Sequence, residues 1–172
     1  MVRALFPGTF DPIHFGHIDI ASRASRVFDE VVMAVYDKPL KSLMFLPEER
    51  MELVKKSLHG NPKIRVTGYS GLTVEFARQI DAQVIVRGLR VFSDFEFEFR
   101  MSLANQRLAS DIETVAFITA EEHTFLSSST IKEIASLGGD VSSMVPAHVD
   151  EALKKKVMNL GDGHVVPNAL RD

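Results

Sequence analysis

Short runs of apolar residues alternate along the chain with segments of helical periodicity. The runs are rich in Val and Ile and are nearly continuous in apolar character. Such runs are typical of strands that are buried on both faces of a sheet. They predict strands over residues 3–6, 30–36, 64–68, 83–87 and 113–119.

Apolar residues spaced three and four apart predict helices between these strands. Pro47 suits the first turn of the second helix, and the acidic residues after it suit a helix N-terminus. The predicted buried faces are Ile20, Ala24, Val27 and Phe28 in the first helix, Met51, Val54 and Leu58 in the second, and Leu72, Phe76 and Ile80 in the third.

The fourth helix, predicted over residues 93–108, has apolar side chains on several faces. Phe95, Phe99 and Leu103 share one face, while Phe97 and Met101 lie on others. A helix that is apolar on several faces is buried on several faces. Contact with another subunit and burial in the core of the same chain both explain the pattern.

Two further helices are predicted near the C-terminus. Thr130 and Glu133 form a capping-box pattern for a short helix that ends near Gly138. Pro146 begins the last helix, whose predicted inward residues are Val149, Leu153 and Val157.

The alternation of strands and helices indicates an α/β fold with right-handed crossovers. We expect a Rossmann-like, doubly wound, parallel five-stranded sheet with helices on both faces, followed by the C-terminal helices. A length of 172 residues fits a single domain. The predicted domain spans residues 1–157, and residues 158–172 form a loosely ordered tail without periodicity.

Composition narrows the classes of function. The chain has no Cys, which excludes disulfides and thiolate metal sites and suits a reducing cytoplasm. A net charge of −3 leaves no large basic field, so nucleic-acid binding is not expected. We predict neither a signal peptide nor a membrane span, because long apolar runs are absent from the sequence.

The most informative segment is residues 8–17, GTFDPIHFGH, which join the first strand to the first helix. In doubly wound sheets, ligands bind at the carboxyl ends of strands near the point where the strand order reverses. Gly8 and Gly16 permit close approach to the backbone, and His14 and His17 lie three residues apart on one side of a helical turn. The segment therefore predicts an anion site, because helix N-termini and imidazole N–H groups both favour phosphate.

Simpler interpretations remain open for these residues. A Gly–Thr loop can be an ordinary turn, and two histidines three residues apart can cap a helix or bind a metal. No third metal ligand lies nearby, so we predict no protein metal site. The segment also matches neither the GxGxxG dinucleotide loop nor the GxxxxGK[ST] phosphate loop.

Three motifs in order give a resemblance to a known family. Residues 14–17 resemble the HxGH signature of a nucleotidyltransferase superfamily, and residues 127–132, SSSTIK, resemble its ISSSxxR/K segment. The segment VRGLR at residues 86–90, followed by DFEFE at residues 94–98, narrows the match. Together the motifs resemble bacterial phosphopantetheine adenylyltransferases over roughly residues 1–157.

The resemblance implies transfer of the adenylyl group of ATP to 4′-phosphopantetheine, which gives 3′-dephospho-coenzyme A and pyrophosphate. It also implies Mg²⁺ with the ATP and a homohexamer. We expect a cytoplasmic location, since the sequence has no Cys and no signal peptide is predicted. His17 would stabilise the transition state at the α-phosphate. The implied ATP-binding residues are Thr9, Phe10, His17, Gly88, Leu89, Arg90, Glu98, His123, Thr124, Phe125, Leu126, Ser127, Ser128 and Ser129, and the implied acceptor-binding residues are Thr9, Lys41, Thr73 and Arg87.

The chain departs from the family pattern at two positions. Some members have Thr in place of His14, and some have Trp in place of His123, so neither histidine is assigned an essential role. Without the resemblance, Lys41 and Glu98 are read as surface charges and the serines at 127–129 as a helix cap. Arg87 can also be a surface charge, but it ends an apolar strand on the side of the sheet where a ligand is expected.

Two other functions remain as alternatives. The first is a nucleotidyltransferase for another phosphorylated acceptor, such as nicotinate mononucleotide. The second is a regulator that binds ATP without turnover. The attacking phosphate is already an anion near neutral pH, so adenylyl transfer needs positioning and charge stabilisation rather than a strong base.

Overall fold

The computed structural model describes residues 1–38 and 43–160. In chain order the elements are β1 (Arg3–Gly8), α1 (Phe15–Val27), β2 (Glu30–Tyr36), α2 (Pro47–Ser57), β3 (Ile64–Tyr69), α3 (Thr73–Gln79), β4 (Val84–Leu89), α4 (Phe92–Leu108), β5 (Glu113–Ile118), α5 (Ser128–Ser136) and α6 (Ala147–Leu160). A short 3₁₀ turn at Glu121–His123 precedes α5.

The five strands form one parallel sheet in the order β3-β2-β1-β4-β5. This arrangement confirms the predicted Rossmann-like α/β class. The strand order reverses between β1 and β4, and a ligand crevice is expected there. The predicted strands were correct in place and within two residues at each end.

Both faces of the sheet are covered, as the near-continuous apolar strands require. Ala4 and Phe6 of β1 face a large core cluster that includes residues of α1, α5 and α6. Leu5 lies between them in sequence and packs with Val74 and Ala77 of α3 in a second cluster. The alternation follows from the two-residue period of a strand.

Three helix details differ from the predictions. Val27 ends α1 and is exposed, while Phe28 after it turns into the core. In α3 the predicted residues Phe76 and Ile80 pack against the second core cluster, but Leu72 precedes the first helical residue and is exposed, and Val74 and Ala77 are buried as well. The cap of α5 is Ser127, whose hydroxyl accepts the Thr130 N–H at 3.0 Å, so the predicted Thr130 capping box is wrong.

Helix α4 contains no buried residue, which excludes core burial as the explanation of its apolar faces. Phe92, Phe95 and Phe99 form a continuous aromatic row, with ring centroids 6.3 Å and 5.8 Å apart, and each ring is at least half exposed. Among the described residues, no helix is long and apolar enough to cross a membrane. Most of the predicted tail, residues 161–172, lies outside the described part of the chain.

Candidate active site

The loop after β1 forms one wall of the site. Phe10 adopts a left-handed backbone conformation with φ of 47°, which non-glycine residues rarely adopt. Its buried ring stands edge-on to Phe6 on one side and to His17 on the other, at centroid distances of 5.7 Å and 5.1 Å. Gly8 makes room for this ring, because a Cβ at Gly8 would come within 2.8 Å of it.

His17 lies in the first turn of α1, and its Nδ1 accepts the backbone N–H of His14 at 3.3 Å. A neutral imidazole with an accepting Nδ1 carries its proton on Nε2. Burial lowers the pKa of His17 well below its ordinary value, and the charges of His14, Arg90 and Arg87 lower it further. At neutral pH, His17 therefore offers an uncharged N–H donor to the cavity that it lines.

The side chain of His14 packs against that of His17. The two rings are stacked, with centroids 3.7 Å apart and planes inclined by 24°. Burial, then the charges of Arg90 and His123, lowers the pKa of His14 to about 3, so this ring is also neutral near pH 7. His14 Nδ1 is buried and has no hydrogen-bond partner among the described residues.

Arg87 stands at the end of β4 and is held on two sides. Its Nε and Nη2 donate to the two carboxylate oxygens of Glu98 at 2.7 Å and 2.6 Å, and its Nη1 donates to the carbonyl of Pro7 at 3.0 Å. The bidentate pair fixes the plane of the guanidinium. These contacts use three of the five N–H donors of an arginine, so two others can reach an anion.

Arg90 joins β4 to the loop before α5. It donates from Nε to Asp94 at 3.0 Å and from Nη1 to the carbonyl of Leu126 at 2.6 Å. Burial raises the pKa of Asp94, but hydrogen bonds from the Arg90 side chain and backbone outweigh this and bring it below its ordinary value. Ser128 donates to the carbonyl of Pro12 at 2.8 Å, which ties the start of α5 to the loop after β1.

Two cavities meet at this edge of the sheet. The first, of about 320 Å³, lies over the N-terminus of α1, and the second, of about 750 Å³, lies between the ends of β1 and β3 and helix α4. Pro7, Gly8, Thr9 and Arg87 line both cavities. The first brings together the predicted site residues Thr9, Phe10, His17, Arg87, Gly88, Arg90, Glu98, Ser127, Ser128 and Ser129.

The second cavity contains Thr73, the predicted acceptor residue, whose hydroxyl lies 3.1 Å from that of Tyr69. Tyr36, Phe97 and Met101 add an apolar lining. The remaining predicted residues line neither cavity: Leu89, His123, Thr124, Phe125 and Leu126. Lys41 lies outside the described residues.

Several residues at the site were missed by the sequence analysis. Asp94 and Thr119 line the first cavity. The signal for Asp94 was its position four residues after Arg90, at the start of α4, where its carboxylate accepts both the backbone N–H and the side chain of Arg90. Asp11 and Lys132 form a buried ion pair of 2.7 Å beside the loop, and Lys132 is the last residue of the SSSTIK motif.

The chemistry available here is anion binding without a resident metal ligand set. Across residues 1–38 and 43–160, no group of three His, Asp or Glu side chains could hold a metal ion. The two carboxylates that line the first cavity, Asp94 and Glu98, are already paired with arginines. His17, Arg87 and Arg90 are the donors that line the first cavity, and Arg87 also lines the second. These groups can hold two phosphorylated molecules together and stabilise charge on a phosphorus centre.

Comparison with known proteins identifies the family of this chain. The cytidylyltransferase-like family model matches residues 5–134. Phosphopantetheine adenylyltransferases from Roseiflexus sp. and Herpetosiphon aurantiacus are 54% and 49% identical to this chain over 155 residues; both matches cover 90% of it and cover 97% and 94% of the relatives.

A solved structure has the same fold at low sequence identity. It is a Vibrio parahaemolyticus protein described as a nicotinate-nucleotide adenylyltransferase, with a TM-score of 0.67 and 21% identity, over 90% of this chain and 99% of the other. The likeness concerns the fold alone. The sequence relatives and the family model together show that the chain belongs to the cytidylyltransferase-like group and, within it, to the phosphopantetheine adenylyltransferase family of nucleotidyltransferases.

Proposed function

We propose that this chain transfers the adenylyl group of ATP to 4′-phosphopantetheine and releases 3′-dephospho-coenzyme A and pyrophosphate. Membership of the family supports this reaction. The structural observation that carries it is the meeting of two cavities at Thr9 and Arg87. An ATP in the first cavity and a phosphorylated acceptor in the second would place their phosphates side by side.

The proposed chemistry is a direct in-line displacement. A phosphate oxygen of the acceptor forms a bond to the α-phosphorus of ATP, and the bond from that phosphorus to the bridging oxygen of pyrophosphate breaks. The oxygen is already ionised near neutral pH, so no side chain has to remove a proton. The protein then acts by positioning and by charge stabilisation.

Each side of the site has a proposed part in this displacement. Arg87, together with Lys41, holds the acceptor phosphate, and Thr9 contacts both substrates. Arg90 and the serines at 127–129 bind the ATP phosphates. His17 donates its Nε2–H to an oxygen of the α-phosphate, where negative charge increases in the transition state. A neutral donor suits this step, because it does not have to lose or gain a proton.

The nucleotide contacts proposed for other residues differ in their support. Phe10, Gly88 and Glu98 line the first cavity, although both oxygens of Glu98 are used by Arg87. Leu126 contributes its carbonyl to Arg90, while its side chain is buried. Contacts to the base by Leu89, His123, Thr124 and Phe125 stay predictions.

The acceptor is tested by measuring pyrophosphate release from ATP with each candidate in turn. We expect turnover with 4′-phosphopantetheine and none with nicotinate mononucleotide or with ATP alone. Turnover with nicotinate mononucleotide only would give the chain a different substrate. ATP binding without pyrophosphate release under any condition would make it a regulator.

Three features remain proposals for this chain. Mg²⁺ would enter with the substrate as MgATP, because both carboxylates of the first cavity are paired with arginines. Self-association is supported by the exposed aromatic row of α4, and assembly as a homohexamer is proposed from the family resemblance. A cytoplasmic location is proposed because the sequence contains no Cys, which suits a reducing compartment.

A further inference from the structure

A fully buried arginine outside both cavities connects the segments that form the site. Arg50 lies in α2 and has no exposed surface. Its Nη1 donates to the carbonyls of Thr9 and Tyr36, each at 2.7 Å, and its Nε donates to the carbonyl of Phe45 at 3.2 Å. The three carbonyls belong to the loop after β1, the end of β2 and the segment before α2. One side chain thus fastens three separate parts of the chain.

The contact with Thr9 bears directly on the geometry of the site. The carbonyl of Thr9 belongs to the peptide unit that precedes Phe10, whose φ of 47° is a conformation that persists only when its surroundings enforce it. By fixing this peptide, Arg50 fixes one side of the strained residue. The Phe10 ring in turn meets the His17 ring edge-on at 5.1 Å. A short series of contacts therefore leads from Arg50 to His17.

Asp11 makes a second set of contacts between the loop after β1 and the segment before α2. Its carboxylate accepts the backbone N–H groups of Met44 at 3.0 Å and Phe45 at 2.9 Å, and it pairs with Lys132 at 2.7 Å. Phe45 is consequently held at its N–H by Asp11 and at its carbonyl by Arg50. Both charged groups are buried, and neither lines the two cavities.

Burying a guanidinium in a protein core carries a desolvation cost that an apolar side chain does not have. Burying an ion costs several kcal/mol before its hydrogen bonds are counted, and apolar side chains of similar volume often stabilise a fold equally well. Three charge-assisted bonds to carbonyls give geometric precision that an apolar side chain cannot supply. The placement of these bonds beside Thr9 and Phe10 indicates where that precision is used.

We infer that Arg50 is a positioning residue for adenylyl transfer: with Asp11, it holds Thr9 and Phe10, and through Phe10 the His17 ring, in the geometry of the reaction. Arg50 itself touches neither substrate. The inference rests on the proposed function, because the reaction supplies its readout.

The test compares Arg50→Met with Val54→Ala, which removes buried volume from the same helix at a residue that lines neither cavity and makes no hydrogen bond to the Thr9 carbonyl. Calorimetric titration gives the affinity and stoichiometry of ATP binding, and kcat is expressed per ATP-binding site at a temperature where both variants are folded. We expect Arg50→Met to bind ATP at full stoichiometry with kcat about 10²-fold lower, as for a small misplacement of reacting groups. Val54→Ala should keep the wild-type kcat per site.

A purely structural arginine would give the opposite pattern: fewer ATP-binding sites in Arg50→Met and wild-type kcat in those that remain. That result would overturn the inference. If Arg50→Met does not fold, Arg50→Lys decides, since an ammonium keeps the charge but not the planar fork. We expect it to lower kcat by about tenfold, the size of one lost buried hydrogen bond, and wild-type kcat in folded Arg50→Lys would overturn the inference. Absence of turnover in the wild-type protein would refute the proposed function instead.

Discussion

The ion pair of Arg87 with Glu98 orients the Arg87 guanidinium before a second anion, the acceptor phosphate, binds. Arg87 is bound at Nε, Nη1 and Nη2, so its guanidinium has one orientation before any substrate arrives. Glu98 is 13% exposed at its side chain and depends on Arg87 for its charge partner. An arginine held in this way loses little conformational freedom when phosphate binds.

Replacing Arg87 with Ala should chiefly weaken acceptor binding. The loss of charge-assisted hydrogen bonds is expected to raise the KM for 4′-phosphopantetheine about 10- to 100-fold, with a smaller effect on the KM for ATP. Steady-state titration of each substrate measures both values. Arg78→Gln is a matched control, because Arg78 also pairs with an acid, Asp111, but lies outside the cavities. An effect on ATP alone would contradict the role assigned to Arg87.

His14 predicts a pH dependence of stability. Its folded-state pKa of about 3 lies below the ordinary value of 6.5, so the unfolded chain binds the extra proton first. The associated stability is complete above pH 6.5 and is lost as pH falls from 6.5 towards 3. The free energy of unfolding should therefore fall by about 1.4 kcal/mol per pH unit below pH 6.5 from His14, and His17 acts in the same direction.

Denaturant unfolding between pH 7 and pH 5 measures this dependence. His14→Asn keeps a residue suited to a helix N-cap and should show a shallower slope than the wild type. His59→Asn, at an exposed histidine, should leave the slope unchanged. Equal slopes for the wild type and His14→Asn would exclude His14 as a source of the effect.

Among the secondary-structure elements, the apolar pattern predicted the positions of the buried strands correctly. It was less accurate for the faces and starts of helices, which depend on contacts with other parts of the fold. The strands were correct because a strand buried on both faces has little freedom in composition. In α3 the prediction was right for Phe76 and Ile80, which pack against the core, and wrong for Leu72, which precedes the helix and is exposed. The predicted start of α5 was wrong because Ser and Thr both cap helices well, so Ser127 and Thr130 were both candidates. The hydrogen bond from Ser128 to the Pro12 carbonyl, which holds the start of the helix, becomes visible only in the fold.

As with the fold, the sequence predicted some residues of the candidate site and missed others. The motifs identified Thr9, His17, Arg87 and Arg90, which the fold brings together at the strand-order reversal. Arg50 was missed because arginines are read as surface charges. Its spacing of three and four residues from the buried Leu53 and Val54 was the available signal that it lies on the inner face of α2.

For the whole molecule, the exposed aromatic row of α4 is the feature that a monomer does not explain. Phe92, Phe95 and Phe99 lie on one face of the helix, and large exposed apolar patches are typical of interaction surfaces. Phe97 and Met101 of the same helix line the second cavity, so an interface on α4 would lie next to the acceptor site.

We predict that the wild-type protein self-associates through this row and that Phe95→Glu combined with Phe99→Glu reduces the assembly. The physical reason is the cost of burying two carboxylates without partners in an apolar contact. Sedimentation velocity measures the mass, and circular dichroism checks the fold. Leu137→Glu combined with Met158→Glu alters two apolar residues elsewhere that are more exposed than Phe95 and Phe99, and it should leave the assembly intact. A wild-type assembly that survives the α4 changes would place the interface on another surface.

The most direct test of the proposed mechanism is kcat for 3′-dephospho-coenzyme A formation from ATP and 4′-phosphopantetheine in the wild type and in His17→Ala. We expect one pyrophosphate per product molecule in the wild type, and a kcat lower by about 10²- to 10³-fold in the variant, as for loss of one transition-state donor. A near-wild-type kcat in folded His17→Ala would contradict it.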